Sequence, residues 1–306
     1  MRNQKMKVAI IGAGAIGKAM ESALKKARGI SVGIYDSNPE NSASKNSLEG
    51  VVTKAEIVFL CVPSQAETSA IKEILPFLPE NAGVVSFAKG IEVETGAFMD
   101  EVLQKQLPRN QPFGFFGGPM LSKEVLLGKG GVGIIGSHFP SFRKKLARIF
   151  HKGDIRIETT DDARGVALAG MLKNVYACAM GITEGLLWGN NKRGWLGSLA
   201  FTEMLALTEL LGGKQQTFLG ASGIGDFLAT GFGATSRNRK MGEDMAKHGR
   251  IEYKAESFYS IAPLAKLMRK HSSTLPLLFA LEAVMNRKKS AVKIFSNLFT
   301  KKNLRF

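Results

Sequence analysis

The stretch Val8-Ala-Ile-Ile11, followed by Gly12-Ala13-Gly14-Ala15-Ile16-Gly17, predicts the fold of the first half of this 306-residue chain. A short β-branched apolar run is typical of a buried strand, and the glycine pattern opens a helix directly after it. In that pattern the first glycine permits a tight turn, the second lets a pyrophosphate approach the backbone, and the third permits close helix–strand packing. The free N–H groups at the helix start then face the phosphate charge. The stretch therefore predicts a dinucleotide site.

Asp36 extends this prediction to the ribose. It ends the second predicted strand, Ser31–Tyr35, 19 residues after Gly17. That spacing suits a carboxylate that accepts a hydrogen bond from a ribose 2′-hydroxyl, which favours NAD(H), with NADP(H) as the alternative. The competing interpretation is a structural glycine turn in which Asp36 is an ordinary turn residue. Pro63 and Ser64 follow another apolar strand and are expected at the same carboxyl edge of the sheet.

Strand-like and helix-like segments alternate as far as about residue 160, and helical periods dominate from there to the end. Alternation of this kind indicates a doubly wound sheet with helices between its strands. We therefore predict an α/β N-terminal Rossmann domain with a mostly parallel sheet over residues 1–160. An all-α domain over residues 161–306 is predicted to follow it.

Composition narrows the classes of protein. The two cysteines, Cys61 and Cys178, lie in apolar runs, so we expect no disulfide framework, no metal site and a reducing cytoplasm. We expect no membrane span. The formal net charge is +16, yet the chain has neither an arginine-rich arm nor zinc-finger spacing. Nucleic-acid binding is therefore the least favoured of the functions considered, and we expect no nucleic-acid partner.

The C-terminal tail is the most basic segment. It carries seven basic residues and no acidic one, interleaved with apolar residues: Arg287, Lys288, Lys289, Lys293, Lys301, Lys302 and Arg305, with Ile294, Phe295, Leu298, Phe299 and Phe306. Such a stretch is compatible with an amphipathic helix that makes weak contact with a membrane surface. The more common alternative is a helix whose apolar face docks on its own domain.

Lys173 stands out in the second half. It is the only charge in the apolar segment Val166–Ile182. Because burial disfavours the ammonium form, a lysine in such a setting has a lowered pKa and is a usable proton donor and acceptor near neutral pH. The alternative is a lysine whose ammonium group reaches water along the helix edge.

Three further polar groups are candidates for binding. Lys89 follows a predicted strand, where it would hold a phosphate or a carbonyl oxygen, or would be an exposed loop lysine. Asp226 ends the glycine-rich turn Gly220–Gly225. Ser236-Arg237-Asn238 opens a helix whose free N–H groups, with the arginine, make an anion site. The alternatives are an ordinary N-cap for the serine and a solvated surface charge for the arginine.

Together these residues resemble the NAD(P)-dependent glycerol-3-phosphate dehydrogenases. The shared motifs, from about residue 6 to about residue 285, are Gly12-x-Gly14-x-x-Gly17, Val62-Pro63-Ser64, Lys89-Gly-Ile-Glu92, Gly118-Pro119-x-x-Ser122-Lys-Glu-Val125, Leu172-Lys-Asn174, Glu184-Gly-Leu, Gly225-Asp226 and Thr235-Ser-Arg-Asn238. The resemblance implies a Rossmann domain followed by a helical domain, usually in a homodimer. It also implies reversible reduction of dihydroxyacetone phosphate, a small phosphorylated substrate, for glycerophospholipid synthesis.

The resemblance also assigns roles to residues. Lys173 matches the acid/base of the family, and the residues matching its catalytic and substrate site are Lys89, Gly118, Asn174, Asp226, Ser236, Arg237 and Asn238. The residues matching its cofactor site are Gly12, Gly14, Ala15, Ile16, Gly17, Asp36, Pro63, Ser64, Lys89, Ser122, Arg237 and Glu256.

Three positions depart from the family pattern. Met120 stands where Ser or Thr is usual, Asn190 where Asp is usual, and Leu199 where Arg is often present. Two alternatives therefore stay open. One is a related β-hydroxyacid-type dehydrogenase acting on a different small anion, and the other is a low-activity NADH-binding regulator.

Overall fold

The computed structural model describes residues 5–41, 46–150, 154–233 and 235–301. The chain forms two compact units. The first consists of Met1–Ala88 and Phe98–Ala167, and the second of Lys89–Ala97 and Leu168–Phe306. The short segment Lys89–Ala97 thus groups with the helical part of the chain, although it directly follows a strand of the sheet. The domain limit near residue 160 stays a prediction.

A seven-stranded sheet forms the centre of the first unit. Its strand order is β2-β1-β3-β4-β5-β6-β7, and every neighbouring pair is parallel except β5 with β6. The strands are β1 Met6–Ile11, β2 Ile30–Tyr35, β3 Ile57–Leu60, β4 Gly83–Ser86, β5 Phe113–Gly117, β6 Gly131–Gly136 and β7 Ile155–Thr160. The predicted mostly parallel, doubly wound sheet is confirmed.

The helices of this unit lie between the strands. They are α1 Ala15–Lys25, α2 Leu48–Val52, α3 Ser64–Ile74, α4 Met99–Gln106, α5 Ser122–Leu126 and α6 Pro140–Phe150. The sequence pattern predicts a helix over Thr95–Leu107, whereas α4 begins only at Met99. The preceding Glu92–Gly96 forms a turn in which the Glu92 carbonyl accepts from the Gly96 N–H. The core includes the stacked rings of Phe87 and Phe116, with centroids 4.7 Å apart.

The strand order indicates where this unit would bind a ligand. β2 lies on one side of β1 and β3 on the other, so the chain reverses its direction of winding between β1 and β3. In open α/β sheets, ligands bind outside the carboxyl ends of the strands at such a switch point. The loops that begin at Gly12 and Cys61 leave the carboxyl ends of these two strands.

The second unit is helical, as predicted. Its helices are α7 Ala163–Gly185, which starts in the first unit, α8 Asn190–Leu210, α9 Gln215–Leu219, α10 Asp226–Gly231, α11 Arg237–His248, α12 Glu256–Leu267, α13 Pro276–Met285 and α14 Ala291–Thr300. The sequence pattern predicts a helix over Leu196–Leu211, whereas α8 begins six residues earlier, at Asn190. Helix α14 lies in the basic tail and buries Ala291, Phe295 and Leu298. Residues 302–306 of that tail lie outside the described residues.

Helix α7 is the core helix of this unit. Among the described residues it is the one helix with the length and hydropathy of a membrane span, and 94% of its most apolar window is buried inside the protein. Such burial is typical of the central helix of a globular unit, where an apolar surface on all sides meets other helices.

A buried carboxylate joins three helices of the second unit. Glu203 on α8 accepts hydrogen bonds from the hydroxyl of Tyr176 on α7 at 2.7 Å. It also accepts from the N–H groups of Leu277 and Leu278 at the start of α13, at 2.6 and 2.9 Å. These N–H groups have no partner within their own helix. Burial raises the pKa of Glu203 to about 7, although its three hydrogen bonds favour the ionised form.

Candidate active site

Lys173 lies in the interior of the second unit. Its Nζ is 2.9 Å from Asp226 Oδ1 and 2.8 Å from Thr230 Oγ1, and the residue is 6% exposed. The Thr230 hydroxyl in turn donates to Asp226 Oδ1 at 3.2 Å. The lysine therefore does not reach water along the helix edge, and the buried interpretation of the sequence is confirmed.

Burial sets the proton affinity of this amine. The pKa of Lys173 is lowered to about 8, chiefly by burial and also by the neighbouring positive charge of Lys89. The negative charges of Asp226 and Glu256 act in the opposite direction. The balance leaves an amine that changes protonation state close to neutral pH, which suits a proton donor and acceptor.

Asp226 holds a second lysine with its other oxygen. Asp226 Oδ2 is 3.2 Å from Lys89 Nζ, and the carboxylate side chain is 1% exposed. Burial alone would raise the pKa of this carboxyl, but the two ammonium groups outweigh burial and lower it. The site is thus two lysines on one ionised carboxylate, in which Lys89 is the more exposed of the two at 22% of its side chain.

Two residues that the sequence interpretation missed shape this triad. Gly170 lies one turn before Lys173, and a Cβ at that position would come within 3.1 Å of Lys89 Cγ, so the absent side chain makes room for Lys89. Thr230 lies one turn after Asp226 on α10. The four-residue spacing from an acid was a usable signal for Thr230, because residues four apart share a helix face.

Polar contacts connect the remaining motif residues. Asn174 Nδ2 donates to Glu256 Oε2 at 3.2 Å, and the N–H of Ser257 donates to Asn238 Oδ1 at 3.0 Å. The start of α12 therefore touches both the lysine-bearing helix and α11. The predicted substrate residues Asn174 and Asn238 thus both contact the first turn of α12, which begins with the predicted cofactor residue Glu256.

Glycines let α11 approach α7 closely. A Cβ at Gly181 would overlap the carbonyl of Arg239, and a Cβ at Gly242 would overlap the carbonyl of Cys178. The two helices are therefore in backbone contact. This contact places the start of α11 in the same helical cluster as Lys173.

The start of α11 has the predicted cap. Ser236 Oγ accepts from the N–H of Arg239 at 3.3 Å, which confirms the N-cap. Arg237 is exposed, and its guanidinium carbon lies 4.9 Å from the ring centre of Tyr253. An anion at this helix end stays a prediction.

The glycine loop of the first unit fits a dinucleotide. Gly12 has a φ of +100°, and a Cβ there would lie 2.6 Å from the Cys61 carbonyl oxygen. A Cβ at Gly17 would overlap the carbonyl of Gly12, whereas a Cβ at Gly14 meets nothing within 4 Å. The first and third glycines are therefore required by the fold, while the second leaves open space of the kind a pyrophosphate needs.

Neighbouring polar groups support the same fit. Asp36 Oδ2 accepts from the N–H of Ala13 at 2.6 Å, and Oδ1 accepts from the N–H of Asn38 at 2.8 Å. The carboxylate thus lies against the glycine loop. Ser64 follows Pro63 at the end of the β3 loop, and its buried Oγ has no hydrogen-bond partner within the described residues. A buried hydroxyl without a partner is unusual, and a bound ligand would supply one.

Comparisons with known proteins agree with this geometry. The family model described as NAD-dependent glycerol-3-phosphate dehydrogenase N-terminus matches residues 36–141, and the C-terminus model matches residues 162–296. Glycerol-3-phosphate dehydrogenase (NAD(P)+) 2 of Sphingopyxis alaskensis is 30% identical over 85% of this chain and 80% of that protein. The chain belongs to the glycerol-3-phosphate dehydrogenase family.

Other relatives extend the comparison. The glycerol-3-phosphate dehydrogenase (NAD(P)+) of Acinetobacter baylyi is 35% identical over 68% of this chain, and the match spans 57% of that protein. The crystal structure of glycerol-3-phosphate dehydrogenase from Coxiella burnetii has a TM-score of 0.88 and 26% identity, and covers 97% of this chain and 99% of that chain. The Rossmann unit and the helical unit are therefore both those of the family.

The departures from the family pattern fall in two settings. Met120 and Leu199 are 8% and 2% exposed, and the first of them packs in the core of the Rossmann unit. Asn190 is exposed at the start of α8. Gly118 directly follows β5, and Ser122 begins α5, so the predicted substrate and cofactor loop lies at the end of that strand.

The glycine loop yields a paired prediction. Gly14→Ala is expected to leave the free energy of unfolding within about 0.5 kcal/mol of the parent, because its Cβ meets open space. The same variant is expected to weaken NADH binding at least about tenfold, because the methyl group occupies the pyrophosphate position. Urea unfolding and NADH fluorescence titration measure the two quantities.

Gly17→Ala is the matched control. The added Cβ would overlap the carbonyl of Gly12, so this variant is expected to lower the free energy of unfolding by about 1–3 kcal/mol. Undiminished NADH affinity in Gly14→Ala would contradict the assignment of this loop to the dinucleotide.

Proposed function

We propose that this chain is a dehydrogenase that reversibly reduces dihydroxyacetone phosphate to sn-glycerol 3-phosphate with NAD(P)H. The observation that carries the proposal is the buried amine of Lys173, held by Asp226 and Thr230 with its pKa lowered to about 8. Membership of the family supplies the reaction class. The product serves glycerophospholipid synthesis.

Lys173 moves the proton in this reaction. In the reductive direction a bound NAD(P)H would supply the hydride that reduces the substrate C2 carbon. Lys173 donates a proton to the C2 oxygen, so that an alcohol and a neutral amine result. In the oxidative direction the neutral amine accepts that proton. Asp226 stays ionised throughout, and together with Thr230 it fixes the direction in which Nζ points.

Positive groups hold the substrate. Lys89 shares Asp226 with Lys173 and places a second ammonium group beside the substrate oxygens. The start of α11, with Ser236, Arg237 and Asn238, binds the phosphate through its free N–H groups and guanidinium. Binding energy from this remote phosphate positions the reacting carbonyl.

Other residues complete the two binding sites. Asn174 and Gly118 are further substrate residues in this proposal, as the family resemblance implies. The loop that begins at Gly12 would hold the dinucleotide, and the resemblance assigns its remaining contacts to Pro63, Ser64, Lys89, Ser122, Arg237 and Glu256.

Two further attributes belong to this proposal. Both thiols are free and buried, and burial raises the pKa of Cys178 to about 12, so neither cysteine is a reactive thiolate. Free cysteines of this kind are typical of a reducing compartment, and we place the enzyme in the cytoplasm. The homodimer is carried over from the family resemblance.

A substrate comparison tests the reaction. The purified protein is expected to oxidise NADH with dihydroxyacetone phosphate and not with 2-keto carboxylates of similar size. Lys173→Ala is expected to lose roughly 10³-fold in kcat with NADH affinity retained, whereas the exposed Lys247→Ala stays at the parental rate.

Each alternative outcome has a distinct meaning. Turnover of a keto carboxylate instead would identify a β-hydroxyacid-type dehydrogenase. Tight NADH binding without turnover of any phosphorylated ketose would identify a regulator. Loss of NADH binding in Lys173→Ala would assign the lysine to the fold.

The pKa of Lys173 predicts that the rates of reduction and of oxidation change in opposite directions with pH. Reduction requires the ammonium form, so its kcat/KM is expected to fall as the pH rises through about 8, whereas oxidation is expected to rise there. Asp226→Asn removes a charge that raises the pKa of Lys173, so the falling limb should move to lower pH. Initial rates across pH measure both.

Thr230→Val is the matched control for this profile. It removes one hydrogen bond to Nζ and leaves the carboxylate charge in place, so a lower rate with a smaller displacement of the limb is expected. A limb that stays in place in Asp226→Asn would show that another group controls the profile.

We also propose that NADH is preferred over NADPH, because Asp36 directly follows β2, where a ribose 2′-phosphate would meet its negative charge. Asp36→Ala is expected to lower kcat/KM for NADH about tenfold and to leave that for NADPH equal or higher, with the exposed Glu40→Ala as control. An equal loss of kcat/KM with NADH and NADPH would contradict a role in cofactor choice. Asp36 would then act only through the hydrogen bond that it accepts from the Ala13 N–H.

A further inference from the structure

An aromatic surface in the second unit joins the end of α7 to α14. We name it the C-terminal patch, and its residues are Leu187, Trp188, Lys192, Trp195, Lys288, Lys289, Val292, Lys293, Phe299 and Lys301. Both tryptophans of the chain pack on Phe299, with ring centroids 5.8 Å away for Trp188 and 5.1 Å for Trp195. The dehydrogenase chemistry uses none of these residues.

Apolar side chains project from the patch into solvent. Leu187 is 87% exposed, Val292 59% and Phe299 39%. Leu187 also has a φ of +55°, in the left-handed region that disfavours residues with a Cβ. Among the described residues, the one other non-glycine with positive φ is Lys288, which also belongs to the patch. Both residues therefore have a backbone conformation of higher free energy, and both are exposed to solvent.

The charge of the patch has one sign. Its five lysines are exposed, and none forms a salt bridge with another described residue. The flanking segments 185–202 and 283–306 contain no Asp and no Glu. Lys192 Nζ lies 4.8 Å from the ring centre of Phe299, so a cation and an aromatic ring face solvent together.

We propose that the C-terminal patch binds the surface of an anionic lipid bilayer. Unpaired lysines are attracted to anionic headgroups, while tryptophan and protruding apolar side chains are favoured at the interface between headgroups and acyl chains. A second copy of the chain on a two-fold axis would bring like charges together. Nucleic acid would leave Leu187 and Val292 without an apolar partner. The proposal is independent of the proposed reaction.

Vesicle binding tests this proposal in the full chain. Co-sedimentation is expected with vesicles of phosphatidylcholine and phosphatidylglycerol at low salt, and not with phosphatidylcholine alone. High salt should release the protein. Because both tryptophans lie in the patch, their emission should shift to shorter wavelength on binding. The triple variant Lys288→Glu, Lys289→Glu and Lys293→Glu is expected to lose at least about tenfold in apparent vesicle affinity.

The control has the same net charge. Lys54→Glu, Lys72→Glu and Lys105→Glu change three exposed lysines of the first unit and are expected to bind vesicles like the parent. Leu187→Asn, which suits left-handed backbone, should weaken binding several-fold without loss of thermal stability.

Several results would overturn the proposal. They are no sedimentation with either vesicle, equal loss in the patch and control triples, tighter binding of the parent to single-stranded nucleic acid than to vesicles, and a patch-dependent change of oligomeric state in light scattering.

Discussion

The second unit depends on one carboxylate shared by two ammonium groups. Asp226 faces Lys173 with one oxygen and Lys89 with the other, at 2.9 and 3.2 Å. Removing one partner of a buried ion pair costs about 3–5 kcal/mol, because the other charge is then left without compensation. With both amines protonated and Asp226 ionised, the three groups together also carry a net positive charge. That charge lowers the proton affinity of the more buried lysine and favours an anionic substrate beside it.

Glycines on α7 let other parts of the second unit approach this helix closely. Small residues on α7 admit the stem of Lys89 at Gly170 and the backbone of α11 at Gly181. A larger residue at either position would displace the groups that hold the amine or the groups proposed to hold the phosphate. The apolar sequence of α7 therefore serves two purposes, since it buries the unit's core and excludes the water that would restore an ordinary lysine pKa.

The sequence predicts those features of the fold and of the site that depend on residues close together in the chain. The glycine loop, the strand alternation and the solitary charge of Lys173 each depend on neighbours in the chain, and the structure agrees with all three. The hydrogen bonds that Lys173 donates to Thr230 and Asn174 donates to Glu256 join residues 57 and 82 positions apart in the sequence. No helical or strand period in the sequence can therefore predict them. The pattern does not indicate the start of α8, because Asn190–Arg193 is a wholly polar turn and Gly194 and Gly197 follow it, and glycine has a low helix propensity.

The departures from the family pattern have physical compensation in the first unit. Met120 replaces a usual hydroxyl, and its sulfur lies where a Cβ on Gly131 of β6 would be only 2.7 Å away. A flexible thioether suits such a narrow space, and the glycine is what admits it. The substitution therefore exchanges a polar contact for core packing and leaves the Asp226 triad unchanged. Lys173, Lys89, Asp226 and Thr230 all belong to the second unit, so this substitution alters none of the groups proposed to move the proton.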